Sequence, residues 1–229
     1  MNKNYAFTDI HGNYNLWKQI KEYCDETDKL YFLGDACDRG PNGMRIIREM
    51  LVDERITYLK GNHEDFFIDI GAEISEGIFS SEPLWIANGG ADTIKDFLEL
   101  IEPTREAYIR KLNRLPSLIT YVNKNNQTLY LSHAGLTPTE KEYREDDLIW
   151  DRKHINDTWP PSEDFKEVYV VHGHTPVQFL LPKQPKVEIL KYCDGHKFNL
   201  DLGTFVSNQI ALFDLDTFEV KYFYDKEVF

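Results

Sequence analysis

Five short blocks carry most of the chemistry in this chain: Asp9-Ile10-His11-Gly12, Asp35 with Asp38-Arg39-Gly40, Gly61-Asn62-His63-Glu64, His133-Ala134-Gly135 and His172-Gly173-His174-Thr175. Their donors are carboxylate, amide and imidazole without thiolate, a set that favours manganese, iron or zinc over copper or an iron–sulfur cluster. Asp9 and His11, two residues apart, can point into one coordination sphere. Asp35 has two carboxylate oxygens and could bridge to a second ion, whose sphere Asn62, His133 and His174 would complete. Two cations about 3.5–4 Å apart clamp the attacking and leaving oxygens of an in-line phosphoryl displacement and lower the pKa of a shared water. The chemistry expected of such a set is hydrolysis.

Taken singly, each block has a plainer explanation. An Asp-x-His tripeptide arises by chance, and Asn-His-Glu after a glycine caps the helix expected to begin near Glu64. A lone His133 is most simply a buried, hydrogen-bonded histidine. Residues 172 and 174 alternate on a strand, so only one need face the ions, and His174 is taken as that one. Position changes the weighing, because every block follows a strand-like run.

Those runs are residues 4–8, 29–33, 56–60, 128–132 and 168–172, all rich in aromatic and β-branched residues. Between the early ones lie helical spacings: Leu16, Ile20 and Tyr23, then "MRIIREML" after Pro41, which is expected to preset that helix's first turn. Strand, loop, helix, strand over the first seventy residues predicts parallel crossovers, and ligands collect at the carboxyl ends of such strands. Residues 92–115 read as helical, within an excursion at about 71–120. From Leu118 onward the pattern turns β-rich, and "KFNLDLG", "QIALFDL" and "FEVKYFY" alternate like antiparallel strands.

Composition narrows the function further. The 229 residues suffice for one large core and carry no low-complexity linker or repeat, so one domain over 1–229 is expected. A net charge of −13 argues against binding a nucleic-acid backbone. No apolar run approaches the roughly 18 residues of a membrane span, and the first residues do not read as a signal peptide. Cys24, Cys37 and Cys193 are odd in number and form no CxxC pair, which fits reduced thiols and a cytoplasmic location. Cys37 is read as inert filler.

"DIHGN", "GDACDRGPNG", "LKGNHE", "SHAG" and "HGHTP", in that order, resemble the phosphoprotein phosphatase family within the calcineurin-like metallophosphoesterases. "PLWIANGGADT" and "LIWDR" resemble its bacterial branch, which holds Ser/Thr/Tyr protein phosphatases and diadenosine tetraphosphate hydrolases. The resemblance implies an α/β (α+β) sandwich of two mixed sheets flanked by helices, with a small helical cap. It implies two divalent ions, manganese first and iron or zinc as alternatives, one held by Asp9, His11 and Asp35 and the other by Asp35, Asn62, His133 and His174. It further implies His63, paired with Asp38, as proton donor to the leaving alcohol, and Arg39, Asn62 and Arg152 as phosphate-holding groups. A bridging hydroxide would be the nucleophile.

Two positions depart from many relatives: Thr8 stands where glycine is frequent, and Lys60 where arginine is. Pro176 occupies the place of a seventh protein ligand found in the wider superfamily. The function expected is phosphomonoester hydrolysis of the Ser/Thr protein phosphatase type, with a phosphoprotein or small phosphoester as partner and no membrane. A dinucleoside polyphosphate hydrolase is the alternative, with Trp85, Tyr108 and Trp150 as candidate base-stacking aromatics. A non-catalytic binding protein of the same fold is a third reading.

Overall fold

The computed structural model describes residues 2–138, 142–156, 163–182 and 186–226. The chain runs β1 (Asn4–Phe7), α1 (Tyr14–Tyr23), β2 (Lys29–Phe32), α2 (Gly43–Met50), β3 (Ile56–Tyr58) and α3 (Asn62–Ser75). The excursion then adds α4 (Glu82–Ala87), α5 (Ala91–Leu98) and α6 (Glu102–Leu112). After it come β4 (Leu118–Val122), β5 (Thr128–Ser132), α7 (Glu145–Trp150), β6 (Val168–His172) and α8 (Val177–Leu180). The chain closes with β7 (Leu190–Tyr192), β8 (Lys197–Asn199), α9 (Thr204–Ser207), β9 (Gln209–Asp214) and β10 (Val220–Tyr224).

Two five-stranded mixed sheets result, ordered β10-β9-β1-β2-β3 and β4-β5-β6-β8-β7. The first is parallel through β1, β2 and β3, with β9 and β10 antiparallel at one edge. The strand period of two sorts β1 between layers: Tyr5 and Phe7 pack with the helix side, whereas Ala6 joins Leu33, Leu131, Val171, Phe198 and Phe213 between the sheets. Burying each such large side chain contributes about 1.5–3 kcal/mol. Leu16, Trp17 and Ile20 of α1 and Ile46, Ile47 and Met50 of α2 cover the outer face of the first sheet.

Several expectations need correction. Pro41 does not open α2, which starts at Gly43 after Asn42, so the proline shapes the preceding turn. The helix expected near Glu64 starts at Asn62, because Glu64 Oε2 accepts the Gly61 N–H at 2.8 Å and fixes the entry there. Residues 92–115 split into α5 and α6, the second carrying Pro103 in its first turn, where no N–H is needed. Lys197–Asn199 is not antiparallel to its inner neighbour: it pairs parallel with β6 and antiparallel with β7, a three-residue strand that the hydrophobic pattern did not announce.

Candidate metal centre and catalytic site

The blocks meet because the parallel pairing of β1 and β2 continues beyond the strands. Asp9 N–H donates to the Gly34 carbonyl at 3.0 Å, His11 N–H to Asp35 at 3.0 Å and Gly12 N–H to Ala36 at 2.9 Å. In the second sheet the parallel pairing of β5 and β6 is extended in the same way, Gly173 N–H donating to the His133 carbonyl at 2.8 Å. A Cβ on Gly34 would sit 2.5 Å from Gly61 N, and one on Gly40 would sit 2.3 Å from the His11 carbonyl oxygen, so only glycine admits this approach. Six of the eleven non-glycine residues with left-handed φ among the described residues are Asp9, His11, Asp35, Asp38, Arg39 and His174. Holding that conformation costs an L-residue about 1–2 kcal/mol, and the loop hydrogen bonds offset the cost.

Asp9, His11, Asp35, Asn62, His133 and His174 all come together, each under a tenth exposed. His11 Nδ1 faces the Cys37 carbonyl at 3.0 Å, which can only accept, so the proton sits on Nδ1 and the Nε2 lone pair points inward. That Nε2 lies 3.8 Å from Asp9 Oδ1 and 3.6 Å from Asp35 Oδ2. Likewise His133 Nδ1 donates to the Leu33 carbonyl at 2.9 Å, which turns its Nε2 lone pair to Asn62 Oδ1 at 2.9 Å and Asp35 Oδ1 at 3.5 Å. His174 Nδ1 is 2.8 Å from the same Asn62 Oδ1. Asp9 Oδ1 and His174 Nε2 are buried with no hydrogen-bond partner among the described residues.

Apart from the Arg39 guanidinium beside His11 Nε2, electron pairs of carboxylate, amide and imidazole converge here, and divalent cations are what such a donor set fits. Burial raises the Asp35 carboxyl well above its ordinary range, with Asp9 adding to the shift. Burial likewise pushes the His11, His133 and His174 imidazoles down. Without a cation the carboxylate is disfavoured as an anion and the imidazoles are held neutral. The described residues contain two clusters able to hold an ion, His11-Asp35-His63 and Asp9-Asp35-His133, which share Asp35.

His63 lies beside the donors, its Nδ1 2.6 Å from Asp38 Oδ2 and its Nε2 3.8 Å from Asp35 Oδ2. Burial opposes its charge, yet Asp35 and the hydrogen-bonded Asp38 outweigh burial and raise its pKa. Arg39 Nη1 donates to His11 Nε2 at 2.8 Å, and its backbone N–H donates to Gly89 of the excursion at 2.8 Å. Arg152 is exposed and next to the cluster in the fold, its Nε donating to Thr175 Oγ1 at 3.0 Å. His172 stays outside: its Nε2 meets Tyr192 OH at 2.8 Å. Cys37 is buried, its thiol pKa raised well up by burial and then by the Asp38 carboxylate.

Residue-type reasoning missed several supporting groups. Glu64, noted only as a helix cap, accepts four hydrogen bonds at 2.8 Å, from the N–H groups of Asp35, Ala36 and Gly61 and from Tyr58 OH, and so ties the second and third blocks together. Trp85 is fully buried and donates its indole N–H to Asp38 Oδ2 at 2.9 Å, so it orients the partner of His63 and stacks on no base. Tyr108 packs against the helical core and lines a groove with Arg48, Leu51 and Lys111. Trp150 is half-buried 6.4 Å from the His174 ring, its N–H tied to Asp65 at 3.1 Å. Thr8 donates to Asp9 Oδ2 at 2.6 Å, and Lys60 ion-pairs with Glu145 at 2.6 Å. Phe205 was not singled out at all. The glycine pair in "ANGGADT" was the readable signal for Trp85: a Cβ on Gly90 would lie 2.2 Å from its ring.

Residues 5–202 match the calcineurin-like phosphoesterase family. Serine/threonine-protein phosphatase 2 of Escherichia coli is 30% identical over 149 residues, 62% of this chain and 64% of that protein. Bis(5'-nucleosyl)-tetraphosphatase PrpE [asymmetrical] of a Geobacillus species is 25% identical over 237 residues, 90% of this chain and 87% of that one. The aligned region thus spans just under two thirds of the first relative and most of the second. Among solved structures, that of a proposed diadenosine tetraphosphatase has a TM-score of 0.65 at 14% identity, covering 99% of this chain and 95% of that one. The cold-active protein-tyrosine phosphatase of a Shewanella species has a TM-score of 0.61 at 16% identity, covering 97% and 77%. These two share the fold. With its donor set, its paired sheets and a family match across most of its length, the chain belongs to the calcineurin-like phosphoesterase family.

Proposed function

We propose that this protein is a metal-dependent hydrolase that acts on phosphomonoesters in the manner of a Ser/Thr protein phosphatase, with Asp9, His11, Asp35, Asn62, His133 and His174 holding two divalent cations. The observation that carries the reading is His63: buried, bonded at Nδ1 to Asp38, with Nε2 lacking a partner among the described residues and facing the shared ligand Asp35. Bound there, the cations supply Lewis acidity to the phosphoryl oxygens and a nucleophile at neutral pH. The oxygen and imidazole donors suit manganese, with iron or zinc as alternatives.

The chain's own groups do the rest. Arg39 and Arg152 offer guanidinium forks to the phosphate oxygens, and Asn62, whose Oδ1 faces two imidazoles, offers its Nδ2. His63 Nε2 gives its proton to the departing alkoxide. Asp38, fixed by Trp85 Nε1, supports the cationic imidazole before the transfer and holds the ring in register through it. The burial that disfavours charge here also strengthens the contacts of His63, Asp38 and Asn62.

Hydrolysis of dinucleoside polyphosphates is less well supported. Of the three aromatics considered from the sequence for a base, Trp85 and Tyr108 pack with the core and Trp150 is anchored to Asp65. Three free thiols, and no helix among the described residues long and apolar enough to cross a membrane, are consistent with a cytoplasmic enzyme. Incubation of the manganese-loaded protein with phosphoserine peptide, para-nitrophenyl phosphate and diadenosine tetraphosphate tests the reading. Turnover of the first two above the third is expected; turnover of the dinucleotide alone overturns it.

A further inference from the structure

We infer that Phe205 and the small cavity beside it form a subsite for an aromatic ring carried by the substrate's phosphate, so that aryl phosphates are gripped more tightly than alkyl ones. This inference deepens the phosphomonoesterase reading and rests on it. Phe205 sits on α9, which the chain reaches through a turn closed by Gly203 N–H donating to Asp201 Oδ1 at 2.8 Å, with Gly203 at φ +59°. That turn holds a large aromatic side chain 38% exposed beside otherwise buried donors. The His11 ring meets it edge-on, centroids 5.8 Å apart at 90°, and the Arg39 guanidinium carbon lies 4.5 Å from its centroid.

Phe205 thus touches both a proposed cation ligand and a proposed phosphate-holding arginine while keeping part of its surface open. The adjoining cavity, of about 130 Å³, is lined by His11, Asn13, Arg39, Gly40, Phe205 and Asn208 among others. Its size decides the occupant. A cavity of ~150 Å³ holds one benzene ring, whereas pockets for drug-sized ligands run to roughly 300–1,000 Å³. A space of that order is nearer to one six-membered ring than to a whole nucleoside. A ring placed here contacts the aromatic wall and the guanidinium face, both of which favour an aromatic over an alkyl group.

The test is calorimetric binding of phenylphosphonate and methylphosphonate, which are not turned over, to the manganese-loaded full chain. Wild type should bind the phenyl compound about tenfold more tightly, the factor that 1.4 kcal/mol gives. Phe205→Ala should bring the two within about twofold of each other by weakening only the phenyl compound. Phe205→Leu, which keeps apolar bulk without a π face, should lose most of the preference too. Equal affinities in wild type overturn the subsite, as does a Phe205→Ala variant that weakens both compounds alike, since Phe205 would then act only by holding Arg39. The phosphomonoesterase reading fails separately, by absence of turnover on every monoester tested.

Discussion

The Thr8 hydroxyl donates to Asp9 Oδ2 at 2.6 Å, and the His174 N–H donates to the same oxygen at 3.1 Å. Both hydrogen bonds fall on one carboxylate oxygen, so the other, Oδ1, is left to face His11 Nε2. The Thr8 side chain thus selects which oxygen of Asp9 is offered. Removing a hydrogen-bond partner behind a metal ligand typically costs 10–100-fold in metal affinity. Thr8→Val, equal in shape, should therefore weaken manganese binding about tenfold, and Thr8→Ser should retain it. Titration followed by manganese electron paramagnetic resonance checks both.

With His63 as the proposed acid, its pairing with Asp38 should set the alkaline limit of activity. An acid must be protonated, so its contribution is present below its pKa and lost as pH rises through it. Asp35 shares its charge with the cations when they are bound, which leaves Asp38 as the carboxylate that holds the His63 pKa up. Asp38→Asn should shift the alkaline fall of kcat/KM to lower pH. His63→Asn should cut turnover of alkyl phosphates about 10²–10⁴-fold, spare para-nitrophenyl phosphate by comparison, and leave manganese affinity unchanged. Equal losses on the two esters contradict the role.

Glu64 is the strut of the site. Replacing it with glutamine puts an amide NH₂ where an acceptor of two hydrogen bonds stands, and leaving buried donors unsatisfied costs about 1–3 kcal/mol each. Glu64→Gln should lower unfolding stability by about 3 kcal/mol or more, seen as a lower urea midpoint. It should also weaken manganese binding, because Asp35 and Ala36 lose their anchor.

Lys60 is almost wholly buried, and its partner Glu145 is about half exposed. The hydrogen bond from Lys60, and then that from Ser117, pulls the Glu145 pKa below its ordinary value. A depressed carboxyl stabilises the fold above its unfolded pKa and loses that contribution as pH falls through its folded one. Glu145→Gln should cost about 1 kcal/mol at pH 7, the exposure of Glu145 keeping the figure small. The difference in melting temperature from wild type should shrink on acidification below the ordinary carboxylate range.

The first half of the fold is readable because its buried parallel strands are short apolar runs ending in polar blocks, and residue type alone marks the six candidate donors. Support through space is not readable. Glu64 grips Asp35 from 29 positions away and Trp85 grips Asp38 from 47, and neither residue differs in kind from a capping or core residue in the sequence. β7 is hidden for another reason: "LKY" is too short to show a period, and its pairing with β8 settles it. Phe205 looks like core in the string "LGTFVS", and only the left-handed Gly203 turns it outward.

The excursion is fastened to the chemistry through Arg39 N–H on Gly89, Asp38 N–H on Thr93 Oγ1 at 3.1 Å and the Trp85 indole on Asp38. Swinging this segment clear would break all three of those hydrogen bonds. Exchanging residues 82–93 for the equivalent stretch of another phosphatase would transplant acid strength together with entrance shape, so a graft meant to redirect selectivity would also retune how readily the leaving group receives its proton.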